Sequence, residues 1–221
     1  MGQGTSLLAL AVVKKALHEC KLQGCSVELP FDEIKEHEEK CNWRLVRCPG
    51  SGSNCRAMVP FCTMIDHVGA CTGFVNRCPR DLLQCENAFY RRTFYRTIVM
   101  REAFDRGGDR SWPASVHQLE EKLFFSRFVY IRGKYICDVV MGGTKEDCED
   151  FIVEASVMDL DKGKSVFKAI FPPRPLNNHQ EAKFCLSVKQ KAISDVWRFN
   201  KQDSSYHLTY KVQIRKVQNL E

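Results

Sequence analysis

A repeated pattern of cysteine and histidine is the strongest constraint on what this chain can fold into. The first copy has the spacing Cys-x4-Cys-x11-His-x3-Cys, and the second copy has Cys-x6-Cys-x11-His-x3-Cys. Most equivalent positions lie 30 residues apart, and repetition at a fixed period indicates a repeated structural unit. The two copies consist of Cys20, Cys25, His37 and Cys41, and of Cys48, Cys55, His67 and Cys71.

Each copy offers four ligands of the kind that zinc prefers. Thiolates and imidazoles bind Zn²⁺ tetrahedrally, and four protein ligands leave no open position for a catalytic water. His37 and Cys41 are four residues apart, so they lie on one face of a predicted helix. We therefore expect two structural zinc ions per chain, held by two small α+β zinc fingers in tandem.

The small size of each unit also favours a metal. A unit spans only 22 to 24 residues between its outer ligands. Ordering its backbone costs about 1–2 kcal/mol per residue, more than so small a core can offset. Structural zinc contributes roughly 10–16 kcal/mol of apparent folding free energy. The alternatives are ordinary buried cysteines with surface histidines, and a secreted disulfide scaffold. The apolar run 7–13 is too short and wrongly flanked for a secretory signal, which indicates a reducing compartment.

The local sequence predicts the elements that carry these ligands. A strand follows each pair of cysteines, and a helix of good helix formers leads to the last two ligands of each unit. The predicted elements are strands at 27–29 and 57–59, helices at 32–41 and 63–71 with Asp32 and Thr63 as N-caps, and a short N-terminal helix at 5–19.

Three further cysteines lie in or after the fingers. Cys62 falls off the repeat and is predicted to be a small core residue rather than a ligand. Cys78 and Cys85 begin a third copy that has no histidine and no final cysteine. They are either remnants of a lost repeat or half of a site completed from elsewhere in the chain.

The C-terminal half alternates between apolar and polar residues. The period of two over 208–214 indicates a strand with one buried face, and 151–158 with 165–171 reads as a hairpin. Residues 105–113 are read as a linker or an exposed loop. Short strands and turns predict an all-β antiparallel sandwich. The expected organisation is 1–19 as helix or linker, 20–75 as double zinc finger, 76–118 as degenerate repeat and linker, and 119–221 as sandwich.

These motifs resemble a known family. The spacing of the seven ligands from Cys20 to His67, with Arg44 and Cys48-Pro49, is similar to the SIAH-type double zinc finger of the seven-in-absentia family. Downstream, 135–144 followed by 149–151 resembles the TRAF-like β-sandwich of that family, in which a strand meets a Gly-Thr turn and a short helix.

The resemblance implies a function in the ubiquitin system. Members are typically RING-type ubiquitin ligases, in which the RING recruits the ubiquitin-conjugating enzyme (E2). Their double finger and TRAF-like domain bind substrates and form a homodimer. By resemblance, this chain is expected to recognise substrate proteins or peptides for ubiquitination and proteasomal degradation, as a homodimer through its β-sandwich.

Three departures from the family pattern limit what is carried over. Residues 1–19 hold only His18 as a ligand, so no RING is expected in this chain; binding of an E2 is therefore not expected, and ligase activity is left open. The last ligand of the second site is Cys71, where the family often has a histidine after a longer gap. The Val-Asp-Trp segment of the family is not recognisable around Trp112, so no peptide specificity is transferred.

Composition leaves one competing function. The net charge of +6 permits nucleic-acid binding, and residues 90–96 interleave basic and aromatic side chains. However, the acidic residues of the first predicted helix would repel phosphate, so a zinc-finger nucleic-acid-binding protein is the alternative rather than the main reading. No nucleophile elbow, phosphate loop, catalytic residue or membrane span is recognised, and a cytoplasmic location, with the nucleus as a further possibility, is expected. Gly2 fits a loose myristoylation pattern.

Overall fold

The two predicted fingers and the predicted β-rich region are all present as folded elements. The structure is a computed structural model of the 221-residue chain, and it describes residues 16–52, 55–74, 93–101, 108–176, 185–202 and 205–217. The predicted N-terminal helix lies mostly outside these residues. Its last part, Leu17–Glu19, is a strand rather than a helix, because it pairs with Glu28–Pro30 across the loop that carries the first two cysteines.

The first finger is a two-stranded ribbon followed by a helix. Strands β1 (Leu17–Glu19) and β2 (Glu28–Pro30) are antiparallel, and helix α1 (Phe31–Lys40) follows directly. The predicted helix is confirmed, but Asp32 as its cap is wrong. The cap position is Pro30, which has no capping side chain, and Asp32 lies in the first turn, where a carboxylate favours the positive end of the helix dipole.

The second finger repeats this plan. Strands β3 (Leu45–Arg47) and β4 (Met58–Pro60) pair antiparallel, and short 3₁₀ turns follow each of them at Pro49–Gly52 and Phe61–Thr63. Helix α2 (Met64–Ala70) ends one residue before Cys71. Thr63 occupies the N-cap position as predicted, but its hydroxyl donates to the Pro60 carbonyl at 3.1 Å instead of capping the helix.

The remaining elements form two five-stranded, mostly antiparallel sheets. The strands are β5 (Thr93–Arg101), β6 (Arg110–Leu119), β7 (Lys122–Ile131), β8 (Lys134–Met141), β9 (Phe151–Asp159), β10 (Lys164–Phe171), β11 (Arg174–Pro175), β12 (Leu186–Lys189), β13 (Arg198–Asn200) and β14 (Ser205–Lys216). The first sheet has the order β10-β9-β14-β13, with β5 also on β14, and the second has β11-β8-β7-β6, with β12 also on β8. Helix α3 (Lys145–Glu149) lies between β8 and β9.

The predicted hairpin and the predicted last strand are confirmed. β9 and β10 pair antiparallel, and β14 lies between β9 and β5. In β14, Leu208, Tyr210, Val212 and Ile214 are each at most 2% exposed, so the alternation in the sequence does mark the core face. Phe128 of β7 stacks on Tyr210, with ring centroids 4.7 Å apart, and this contact joins the two sheets across a common core.

The β-rich region begins earlier in the chain than expected. β5 and β6 both precede residue 119, and Arg110 to Pro113 belong to β6 rather than to an exposed loop. Pro113 is tolerated there because β6 ends the order of its sheet among the described strands and its register shifts between Trp112 and Ser115. A proline, which has no N–H to donate, fits such an edge position.

The second finger packs on the outer face of the second sheet. Its Met64 and Val68 share a hydrophobic cluster with Phe125 and Val140 of β7 and β8. Neighbouring residues on those strands, such as Phe124 and Val139, point into the core between the sheets instead. The second sheet is therefore covered on both faces, by the second finger on one side and by the first sheet on the other.

Candidate metal centres

The first cluster brings together the four residues predicted as ligands in the first finger. One ligand atom from each of Cys20, Cys25, His37 and Cys41 lies within 4.8 Å of all the others. Cys25 Sγ is 3.3 Å from His37 Nε2. In a tetrahedral site with Zn–S of about 2.3 Å and Zn–N of about 2.0 Å, neighbouring ligand atoms are about 3.5–3.8 Å apart. The cluster is close to that size.

The second cluster has the same composition and size. Cys48, Cys55, His67 and Cys71 again lie within 4.8 Å of one another. Cys48 Sγ is 3.7 Å from Cys71 Sγ, and Cys55 Sγ is 3.5 Å from His67 Nε2. Both distances match the edges of a tetrahedral zinc site.

Local backbone geometry prepares the sulfur atoms for a cation. In each finger the amide two residues after a cysteine donates to its sulfur: Trp43 to Cys41 at 3.4 Å, Ala57 to Cys55 at 3.5 Å, and Gly73 to Cys71 at 3.3 Å. An N–H donor favours the charged thiolate over the neutral thiol. The thiolate is the form that binds metal.

The pKa values distinguish a thiol that ionises readily from thiols whose ionisation is opposed by burial. A hydrogen bond from the Val27 amide lowers the pKa of Cys25 to about 7, against the effect of burial and with help from His37. Burial raises the pKa of Cys41 to about 11, and it also raises the pKa of Cys48 and Cys71. Such buried thiols ionise when a cation supplies the compensating charge, so the donor set fits a soft divalent ion.

Other cysteines of the described residues do not join these clusters. Cys62 is exposed, so the prediction that it is a small core residue is wrong, while its exclusion from the ligands agrees with the geometry. Cys137 and Cys148 are buried, and Cys185 is half-buried. Cys78 and Cys85 lie outside the described residues.

Sequence reasoning gave no role to Arg44, which connects the two fingers. This residue is 7% exposed, and its Nη1 donates to the carbonyls of Lys40 and Cys41 at 3.0 and 2.9 Å. Those carbonyls end helix α1, so the guanidinium caps the negative end of the helix beside a ligand. It also lies over the Phe61 ring, 4.5 Å from its centroid. No spacing rule marks such a residue.

No family model matches the chain, and no curated protein matches it either. Within the described residues no helix is long and apolar enough to cross a membrane. The class that the structure defines is a chain with two tandem Cys₃His clusters and a pair of mostly antiparallel sheets.

Proposed function

We propose that each Cys₃His cluster holds one structural zinc ion. Eight residues would supply the ligands, four to each ion, and the ions would tie each ribbon to its helix. The match between the sulfur–sulfur and sulfur–nitrogen distances and a tetrahedral site supports this assignment.

We further propose that the chain is a protein-interaction module of the ubiquitin system, similar to the substrate-binding part of the seven-in-absentia family. The observation that carries the proposal is the pair of clusters at SIAH-type spacing, followed by two sheets, the second of which shares a hydrophobic cluster with the second finger. Fingers fixed in this way present a rigid surface to a partner. The zinc ions would maintain that surface and take no part in chemistry.

Nucleic-acid binding is supported less well. Helix α1, the counterpart of a base-reading helix, exposes Asp32, Glu33, Glu36 and Glu39 to solvent. These carboxylates would repel the phosphate backbone. The described part of the basic and aromatic run belongs to β5, where it is paired along β14.

The zinc assignment is tested by metal content. Purified protein should contain about two zinc ions per chain by inductively coupled plasma mass spectrometry. Cys25→Ser or Cys55→Ser should each lower this to about one, because a site that loses one ligand loses much of its affinity. Cys62→Ser is the matched control, since this cysteine is exposed and lies in neither cluster. Full zinc content in both ligand variants would contradict the assignment.

The function is tested by following partners rather than by activity of the chain alone. Proteins cross-linked to the chain in cells should gain ubiquitin and shorten their half-lives when the chain is overexpressed, and a proteasome inhibitor should reverse the shortening. Cys48→Ser should abolish the effect and Cys62→Ser should keep it. Unchanged ubiquitination and half-lives of every cross-linked partner, with duplex DNA bound instead in a mobility-shift assay, would favour the alternative.

A further inference from the structure

A cavity of about 330 Å³ opens on the outer face of the first sheet, away from both metal centres. It lies where β9 ends and β13 begins. Both strands pair along the same side of β14, since β5 occupies the other side. Met158 is opposite Thr209, and Arg198 is opposite His207, so the ladder changes partner between these two pairs. The change of partner leaves a gap in the sheet surface.

The cavity has a polar floor. The hydroxyl groups of Thr97 and Thr209 are 2.8 Å apart, and His207 Nε2 lies 2.7 Å from Ser205 Oγ. Thr209 is only 7% exposed. The polar atoms are thus held in place by strand pairing and by one another, before any ligand enters.

The wall of the cavity is apolar and open to solvent. Leu160 is 52% exposed, and Met158 and Val196 complete this side. Phe199 also borders the cavity, but its ring packs against Tyr206, on the core-facing side of β14, with centroids 5.1 Å apart. A large apolar side chain left in water beside a cavity favours an apolar ligand group.

One cation lies at the edge of this apolar wall. The Arg198 guanidinium pairs with the Asp161 carboxylate, and that carboxylate is 77% exposed. The neighbouring Asp159 pairs with Lys162 at 3.1 Å and is therefore already compensated. An ion pair as exposed as Arg198–Asp161 contributes little stability, so a ligand carboxylate can replace Asp161 at small cost. Arginine suits this exchange because its fork binds a carboxylate through two N–H groups.

We propose that this cavity binds the C-terminal residue of a partner polypeptide. An aromatic or branched aliphatic side chain would lie against Leu160 and Met158, and the terminal carboxylate would bind Arg198. The volume is roughly twice the ~150 Å³ cavity that takes up one benzene molecule, so it suits one such residue rather than a long segment. The inference rests on the proposed function only in that the ligand belongs to a partner protein.

The terminal carboxylate is tested directly with a pair of peptides. A fluorescein-labelled Gly-Ser octapeptide ending in Phe is prepared with a free carboxylate and as the C-terminal amide, and binding to the full chain is followed by fluorescence polarisation. We expect the free acid to bind about tenfold more tightly or better, because a hydrogen-bonded charge is lost in the amide. Equal affinity for acid and amide, or no binding of either, would overturn the proposal.

Two variants sharpen the test in opposite directions. Arg198→Gln should remove the preference for the acid. Asp161→Asn should strengthen binding of the acid by about threefold and leave the amide unchanged, since it removes the competing carboxylate. The exposed pair Lys216–Glu120, joined at 3.1 Å and not lining the cavity, supplies the controls Lys216→Gln and Glu120→Gln. If Asp161→Asn bound the acid more weakly, this would contradict the idea that the ligand carboxylate replaces the Asp161 carboxylate on Arg198.

The peptide assay contains no ubiquitin, E1 or E2, so its result does not depend on the ubiquitin proposal. A preference for the acid with no effect of the chain on partner half-life would retain the cavity and reject the ubiquitin role. Ubiquitination of partners with no preference for the acid would retain the ubiquitin role and reject the proposal for the cavity. Zinc content and near-ultraviolet circular dichroism of each variant confirm that the comparison is made on folded protein.

Discussion

At the scale of single residues, Arg44 shows how much one side chain connects. Its guanidinium binds the two carbonyls at the end of α1 and covers the Phe61 ring of the second finger. Burial lowers its pKa, while the nearby Cys41 and Asp147 favour the charged form. A cation in this position would also offset the negative charge that three thiolates would bring to a metal ion bound in the first cluster. The orientation of one finger relative to the other thus depends on this residue.

Arg44→Met is expected to destabilise the chain. The variant keeps an apolar stem over Phe61 but loses the Nη1 donor that the Lys40 and Cys41 carbonyls share. The Cys41 carbonyl still accepts from the backbone amide of residue 44 at 3.1 Å, so the main loss is the hydrogen bond from the charged group to the Lys40 carbonyl, and such a bond contributes roughly 1.5–3 kcal/mol. We expect a loss of about 2–3 kcal/mol in the free energy of unfolding, measured by urea denaturation at fixed zinc concentration. Arg47→Met, three residues away and exposed, is the control. Equal stability of the two variants would show that the carbonyl contacts contribute nothing.

At the scale of elements, α3 illustrates a helix that depends on its cap. With only five residues it is too short to be stable alone. A capping box closes its first turn: the Thr144 hydroxyl accepts from the Asp147 amide at 3.1 Å, and the Asp147 carboxylate accepts from the Thr144 amide at 2.8 Å. Lys122 of β7 donates to the same carboxylate at 2.8 Å, which ties the helix to the sheet.

The stability that Asp147 contributes should depend on pH. Burial would raise the pKa of this carboxyl, but hydrogen bonds from Lys122 and the Thr144 amide lower it below 3.8. A lowered pKa means that the contribution is fully present above the unfolded pKa and is lost as the pH falls through the folded one. Asp147→Asn should therefore cost about 1 kcal/mol at pH 7 and progressively less below pH 4. Urea denaturation at pH 7 and below pH 4 measures this cost, with the exposed residue Glu149 supplying the control Glu149→Gln. A cost independent of pH would contradict it.

The elements also show what the sequence could and could not predict. β14 was predictable because one face is buried and the other is not, so apolar and polar residues alternate. β8 is buried at nearly every position, because the second finger covers its outer face, and its sequence Lys-Tyr-Ile-Cys-Asp-Val-Val-Met has no such period. β1 was missed because three residues hold no pattern of their own, and their pairing depends on the loop between the cysteines. The ligands of the two clusters were predictable because their residue types and their repeated spacing can be read directly from the sequence.

At the scale of the whole molecule, the first sheet has an edge that can pair with another chain. Among the described strands, β5 pairs with β14 and with no second strand. Unpaired N–H and C=O groups at such an edge are templates for association. The outer face of β5 carries Tyr95, which is 60% exposed. We therefore expect this edge, with its exposed aromatic side chain, to form the contact across a two-fold axis.

We expect the chain to be a dimer in solution. Light scattering at micromolar concentration should give about twice the 25.4 kDa mass of one chain. Tyr95→Lys should shift the equilibrium towards monomer if β5 forms the interface, since a charge at a sheet edge opposes pairing. A strictly monomeric species over the whole concentration range would contradict the dimer, and it would leave the two metal centres untouched.

The junction between the second finger and the sheets should depend on one glycine. Gly142 follows β8, and a methyl group at this position would lie 2.2 Å from Phe61 Cζ and 2.3 Å from Cε2. Carbon atoms normally stay about 3.5–4.0 Å apart, so the ring would have to move. Its movement is restricted, because the Phe61 amide donates to the Arg44 carbonyl at 3.0 Å and the guanidinium covers the ring.

Gly142→Ala should therefore destabilise the chain by about 1–3 kcal/mol in urea denaturation, as overpacking of a filled interior does. The cause is tested by combining it with Phe61→Leu, whose shorter side chain leaves room for the methyl group. The double variant should be more stable than the sum of the single effects predicts, by more than about 0.5 kcal/mol. Gly133→Ala is the control, since a methyl group there meets nothing within 4 Å and only the positive φ of 76° is strained. The effects of Gly133→Ala and Phe61→Leu on the free energy of unfolding should simply add. If the effects of Gly142→Ala and Phe61→Leu also simply add, then the finger is not held to the sheet by this contact.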